Sequence, residues 1–283
     1  MSKQQEPKRL HRNFHSTFKP ERQYINAMLK FAAAGKSGDL KTISVETGIP
    51  MGESSGKTPS TLNYCIGMGL IRLSPNSVGA VKAPELTPFG RIVLLEDPFL
   101  KETISQWIAH FNLCNSQTGA ETWHQVFFAG VQNLGPEFTR DQLKSHLQLV
   151  FNTQSQKKLI GPLIGMYEED AAFKACGALY SEENTIYRAI APVLDELTRG
   201  YGAWMLQLID DFFPGLHQIS STDLDKTAGW KTIPGWSVSS SIDLLTKLEQ
   251  KAMISVDRHM DPWLIQPAMT PEEAWRNIYV DMI

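Results

Sequence analysis

Only three cysteines occur in the 283 residues, Cys65, Cys114 and Cys176, and no two form a CxxC pair. That excludes a disulfide-built scaffold and a paired-thiolate zinc site, and it predicts buried free thiols in a reducing cytoplasm. Nowhere does an apolar run approach the ~18 residues that a membrane span requires. Met1–Pro20 holds basic residues without the apolar segment of a secretory signal, so the expectation is a cytoplasmic protein with no membrane partner. Neither a Gly-x-Ser-x-Gly elbow nor an HExxH motif is present. Gly52-Glu-Ser-Ser-Gly56-Lys57-Thr58 resembles a phosphate-binding loop, but three residues stand between the first Gly and Gly-Lys where four are needed, and no buried strand precedes it. Asp210 and Asp211 fall within a helical pattern rather than at a strand end. His11 and His15 stand four apart with no further ligand nearby. The sequence therefore predicts no catalytic residue, no metal and no cofactor: a protein that works by binding.

What is present is charge, unevenly distributed. The net charge of −3 divides into 12 Lys/Arg against 5 Asp/Glu over residues 1–82, or +7, and 15 against 25 over residues 83–283, or −10. A basic front on an acidic remainder points to a polyanionic partner at one end only.

The hydrophobic pattern predicts a mainly α fold with small β elements. Residues 1–20 read as a basic arm with Lys3, Lys8, Arg9 and Arg12. Residues 21–97 read as a winged helix-turn-helix. Pro20 opens a helix with Ile25, Met28, Leu29 and Ala32 on one side, and Gly35 stops it. A second helix is capped by Asp39 and closed by Gly48. A third begins near Ser60 and carries Leu62, Cys65, Ile66 and Met68, and a strand follows from Leu70. The Ser74–Gly79 turn and a return strand form the wing, and Thr87-Pro88 starts a short helix. Residues 98–219 read as a helical domain, with a helix expected over Ile186–Phe213. Residues 220–283 read as a small α+β unit, in which a polar link over Thr222–Pro234 is followed by helix, strand, turn and strand. That order admits a second winged-helix-like unit.

On this reading the third helix lies along a duplex groove. Thr58, Ser60, Thr61, Asn63 and Tyr64 would face base edges or phosphates, since Asn pairs adenine bidentately. Lys36, Lys41, Lys57, Arg72, Lys82, Arg9 and Arg12 would contact phosphates, and the Gly52–Lys57 link would turn backbone N–H groups toward one of them.

Several short motifs fall in order: His15-x-Thr17-Phe18, Gly56-Lys57, Gly67-Met-Gly-Leu-Ile, Leu86-Thr-Pro-Phe-Gly90, Asp97-Pro-Phe-Leu100 and Trp107-Ile-Ala-His110-Phe-Asn-Leu113. Together they resemble the domain-of-unknown-function 4007 family of bacterial phage-defence islands, found beside DNA-modification and sulfurtransferase-like (PAPS-reductase-like) genes. The resemblance covers roughly residues 14–150. It implies a DNA-associated defence component with no catalytic site of its own. The expected partners are double-stranded DNA, proteins of a defence complex and a second copy of the chain. The rival expectation is a protein–protein adaptor that makes no direct DNA contact.

Overall fold

Gly35 and Gly48, both at positive φ, stand just past the ends of the first two helices, as the sequence predicts. In the computed structural model, which describes residues 9–52, 56–152, 157–259 and 261–282, α1 spans Arg22–Ala33 and α2 Leu40–Thr47. Asp39 caps α2 by accepting from the Thr42 amide at 2.8 Å, and Gly48 ends it in the left-handed region. Next come α3 (Lys57–Gly67) and an antiparallel hairpin of β1 (Ile71–Leu73) and β2 (Pro84–Leu86), with Arg72 opposite Glu85. Thr87 caps α4 (Pro88–Glu96), and Pro88 occupies its first turn as predicted.

The middle of the chain departs from the all-helical expectation. After α5 (Thr103–Leu113), α6 (Glu121–His124) runs into a π-helical turn, Gln125–Ala129, and then α7 (Val131–Leu134). The Arg188 guanidinium donates to the carbonyls of Val126, Val131 and Gly135 around this irregular turn. β3 (Glu137–Thr139), α8 (Arg140–Phe151), α9 (Lys157–Glu168), β4 (Leu179–Glu182) and β5 (Thr185–Arg188) follow, with the strands in the order β3-β5-β4. The helix expected from Ile186 is therefore a strand at its start: Ile186 is buried between the less buried Thr185 and Tyr187, a period of two, and Tyr187 stacks on Tyr180 across the hairpin. Beyond Pro192, α10 covers Asp195–Phe212.

The predicted link after residue 220 is also structured. β6 (Ile219–Ser220) leads into α11 (Ser221–Ala228), which Ser220 caps and Gly229 ends. The Asp225 carboxylate then accepts from the Lys231 and Thr232 amides and the Thr232 hydroxyl, fixing the turn. α12 (Val238–Gln250), β7 (Ile254–Asp257) and β8 (Leu264–Pro267) complete a sheet of order β6-β8-β7, and α13 (Pro271–Trp275) follows with a Thr270/Glu273 capping box.

One hydrophobic core runs through all of these segments. α10 lies at its centre, against α5, α12 and α13, and Trp123, Trp204, Tyr64 and Tyr167 are among its largest fully enclosed side chains. The three cysteines are free and buried, as expected. No described helix is long and apolar enough to cross a membrane.

Candidate nucleic-acid interface

The predicted base-reading helix faces inward. In α3, Thr58, Ser60, Thr61 and Tyr64 are buried, and Asn63 is half-buried. Their hydroxyls are taken up by the chain itself. Thr58 donates to the Ile49 carbonyl at 2.9 Å, Ser60 to that of His15 at 3.0 Å, and Tyr64 to that of Phe18 at 3.1 Å. This corrects the expectation that α3 lies in a groove, because a buried hydroxyl that already has an acceptor cannot read a base edge.

The cover comes from the expected basic arm. Lys3 and Lys8 lie outside the described residues, but residues 9–20 form a strap across α3. Leu10 bridges Ala120 in parallel, its amide donating to Gly119 and its carbonyl accepting from Glu121. The Phe14 ring meets Tyr64 edge-on at 4.8 Å, and the His15 ring meets Trp123 edge-on at 5.9 Å. Arg12 lies over the Phe151 ring and donates to the Phe151 carbonyl, so it is spent on the fold rather than offered to a phosphate. Arg9 is half-buried.

The glycine-rich link is also turned inward where it is described. Gly56 bridges Met51, and the Lys57 amide donates to the Pro50 carbonyl at 2.9 Å. A Cβ on Gly56 would come within 2.6 Å of Met51 Cα, so this glycine serves close backbone approach. The Lys57 ammonium pairs with Glu21 and sits over the Tyr24 ring. Residues 53–55 lie outside the described set.

What remains at the surface is a smaller cationic face. Gly38, in the α1–α2 loop, bridges Lys82, just before β2, through paired backbone hydrogen bonds of 3.0 and 2.8 Å. This brings Lys82 beside Lys36 and Lys41, which flank Gly38 in sequence. Lys36 and Lys41 are exposed and Lys82 is half-buried. Lys36 pairs with Glu46 and exposed Arg72 with Glu85, whereas Lys41 and Lys82 have no ion pair among the described residues.

Beneath the strap lies a polar cluster that local periodicity does not reveal. The Trp123 indole donates to the Tyr167 hydroxyl at 2.9 Å, and that hydroxyl is 2.7 Å from His110 Nδ1. Burial lowers the His110 pKa to about 3 and those of His15 and His124 to about 4. Neither ring nitrogen of His15 has a hydrogen-bond partner in the structure. The one sequence signal for the cluster is the motif pair His15-x-Thr17-Phe18 and Trp107–Leu113: His15 packs on Tyr64 and Trp123, and His110 on Tyr167.

The cluster and its cover straddle one continuous stretch of similarity. Residues 64–164 match the family model of DUF4007, a protein of unknown function. The DUF4007 stretch starts at Tyr64, takes in the hairpin, α4, α5 and Trp123, and ends within α9, before Tyr167. No curated protein matches the chain. Among solved structures, a magnesium ion-bound SspB aligns with a TM-score of 0.63 at 17% identity, over 95% of this chain and 88% of that one. A second SspB structure aligns with a TM-score of 0.64 at 16% identity and the same coverage. At such identities the likeness is one of fold.

Proposed function

We propose that this protein is a DNA-binding component of a bacterial phage-defence or DNA-modification system. It holds duplex DNA against the face formed by the α1–α2 loop, α2 and the outer hairpin, not along α3. The observation that carries the reading is the Gly38–Lys82 bridge, which gathers Lys36, Lys41 and Lys82 on a chain whose residues 83–283 carry a net charge of −10. Lysines placed this way neutralise phosphates and release counterions without reading sequence. The order α1-α2-α3-β1-β2 supports a winged-helix description of the first unit, with the hairpin as its wing. The run α10-β6-α11-α12-β7-β8 supports the same description of the last. The defence setting rests on the family resemblance.

A gel-shift titration of the full chain with a short duplex, repeated over a salt series, tests the reading. Replacing Lys36, Lys41 and Lys82 together by Glu is expected to abolish the shift and remove roughly three phosphate contacts from the salt dependence. Tight binding by that triple variant would refute the proposal.

A second reading, an adaptor for protein partners, is favoured by one feature. Val238 and Ile242 on α12 are exposed beside a cavity of about 650 Å³ between α11, α12 and the β7–β8 turn. Retention of partners by the Lys-to-Glu triple variant would favour it.

A further inference from the structure

We propose that the cleft between the base of the hairpin, α4, the C-terminal ends of α5 and α10, and α13 is a nucleotide site. It would take the base in the larger of two adjoining chambers and the phosphate on the arginines of the smaller. The larger cavity is about 500 Å³ and the smaller about 320 Å³, and the two share Arg72, Pro88 and Trp275. Both volumes fall within the range of small-molecule sites. The site is separate from the Lys36–Lys82 face and does not depend on it.

The larger chamber has an apolar floor, Phe89 and Trp275, with ring centroids 5.0 Å apart. Its polar groups are held in fixed orientations by the protein. The Asn112 amide donates to the Met68 carbonyl at 3.0 Å, which leaves its oxygen to accept. Gln207 accepts from the Trp275 indole at 3.2 Å and donates to one Asp211 oxygen at 2.9 Å, leaving the other oxygen to accept. The Asn115 oxygen accepts from the Gln117 and Thr118 amides, leaving its NH₂ to donate. Two acceptors and one donor on an apolar floor complement a base that carries an exocyclic amine next to a ring acceptor. Uracil and thymine, which lack that amine, offer one N–H donor and leave one of the two acceptors unmatched.

The smaller chamber is the more cationic. Arg72, Arg91 and Arg276 line it. Arg72 uses Nε on Glu85 at 3.3 Å, and Arg276 uses one terminal nitrogen on Glu272 at 2.8 Å, while Arg91 has no ion pair among the described residues. Three guanidiniums against two carboxylates leave forked N–H groups free, the geometry that binds phosphate bidentately. Asp211 in one chamber and Arg91 and Arg276 in the other set the orientation: base toward Asp211, phosphate toward the two arginines.

Calorimetric titration of the full chain with AMP, GMP, CMP, UMP and inorganic phosphate tests the proposal. Amine-bearing nucleotides are expected to bind at least about tenfold more tightly than UMP or phosphate. The Arg91→Ala/Arg276→Ala variant, altered only at exposed side chains, is expected to lose at least about tenfold for nucleotides. It should keep the wild-type affinity for the corresponding nucleosides, the wild-type melting temperature and the wild-type duplex gel shift. Titration with a 5′-phosphorylated single strand separates the sources: binding of the strand without binding of mononucleotides assigns the site to a strand end. Equal binding of UMP and AMP, nucleotide affinity unchanged in the arginine variant, or no binding of any nucleotide or strand overturns the proposal.

Discussion

Acidification should unfold this protein well above the pH at which most carboxylates protonate, and three histidines set the size of the effect. His15, His110 and His124 are buried, with folded pKa values of about 4, 3 and 4 against an ordinary value of 6.5. The folded state therefore binds fewer protons than the unfolded chain between pH 6.5 and about 4. The stability these neutral rings confer is complete above pH 6.5 and is lost as pH falls toward the folded values. Between pH 7.5 and pH 5 each ring costs about 2 kcal/mol, and the three together cost about 6 kcal/mol, comparable with the whole stability of an ordinary domain. The assay is urea unfolding followed by tryptophan fluorescence at half-unit pH steps. The urea midpoint is expected to drop steeply below pH 6.5. His15→Phe, which keeps a ring in a pocket where neither nitrogen has a partner, should remove about one third of the slope. A midpoint that stays flat from pH 7.5 to pH 5, or a His15→Phe slope equal to wild type, would refute the reasoning.

The remaining expectations concern stability. Asp97 is buried and accepts from the Lys101 and Glu102 amides and the Ser105 hydroxyl at 2.8, 3.0 and 2.6 Å, tying down the start of α5. Asp97→Ala should cost about 3 kcal/mol in a urea melt, and Asp97→Asn clearly less, because Asn retains an acceptor. A Cβ on Gly90 would lie 1.8 Å from the Leu70 carbonyl oxygen, so Gly90→Ala should lower stability by about 3 kcal/mol, seen as a fall in melting temperature. Tyr64→Phe leaves the Phe18 carbonyl without its donor and should cost about 1–2 kcal/mol by the same melt.

Helix ends were legible in the sequence because their signals are local. Asp39 with Gly48, and Thr87 with Pro88, each place a cap within a few residues of the helix it serves, and the structure places the same residues there. The strands β7 and β8 likewise carry their own alternation. The orientation of α3 was not legible. Its polar residues suit a groove-reading face, but Ser60 and Tyr64 bond to backbone 45 and 46 residues away, and no local pattern encodes that cover. The β4–β5 hairpin was lost inside a helical reading because four-residue strands offer too little periodicity to compete with neighbouring helices. α11 was missed for a similar reason: only Leu224 and Ala228 of its eight residues are buried. The arginines and amides of the hairpin-base cleft run from Arg72 on β1 to Arg276 at the end of α13, too far apart in the chain to be read as a set.

The strap across α3 has a practical corollary for anyone dividing the chain. A fragment begun at α1 would strip Phe14 and His15 from Tyr64 and leave an open aromatic trench. A fragment ended at α4 would take away Trp123, the other bank of the same trench, and Ala120, to which Leu10 is tied. The front unit, which looks like a self-contained module on paper, is sewn shut with thread from both directions, and its smallest autonomous piece must carry residues 9–20 and the α5–α6 corner together.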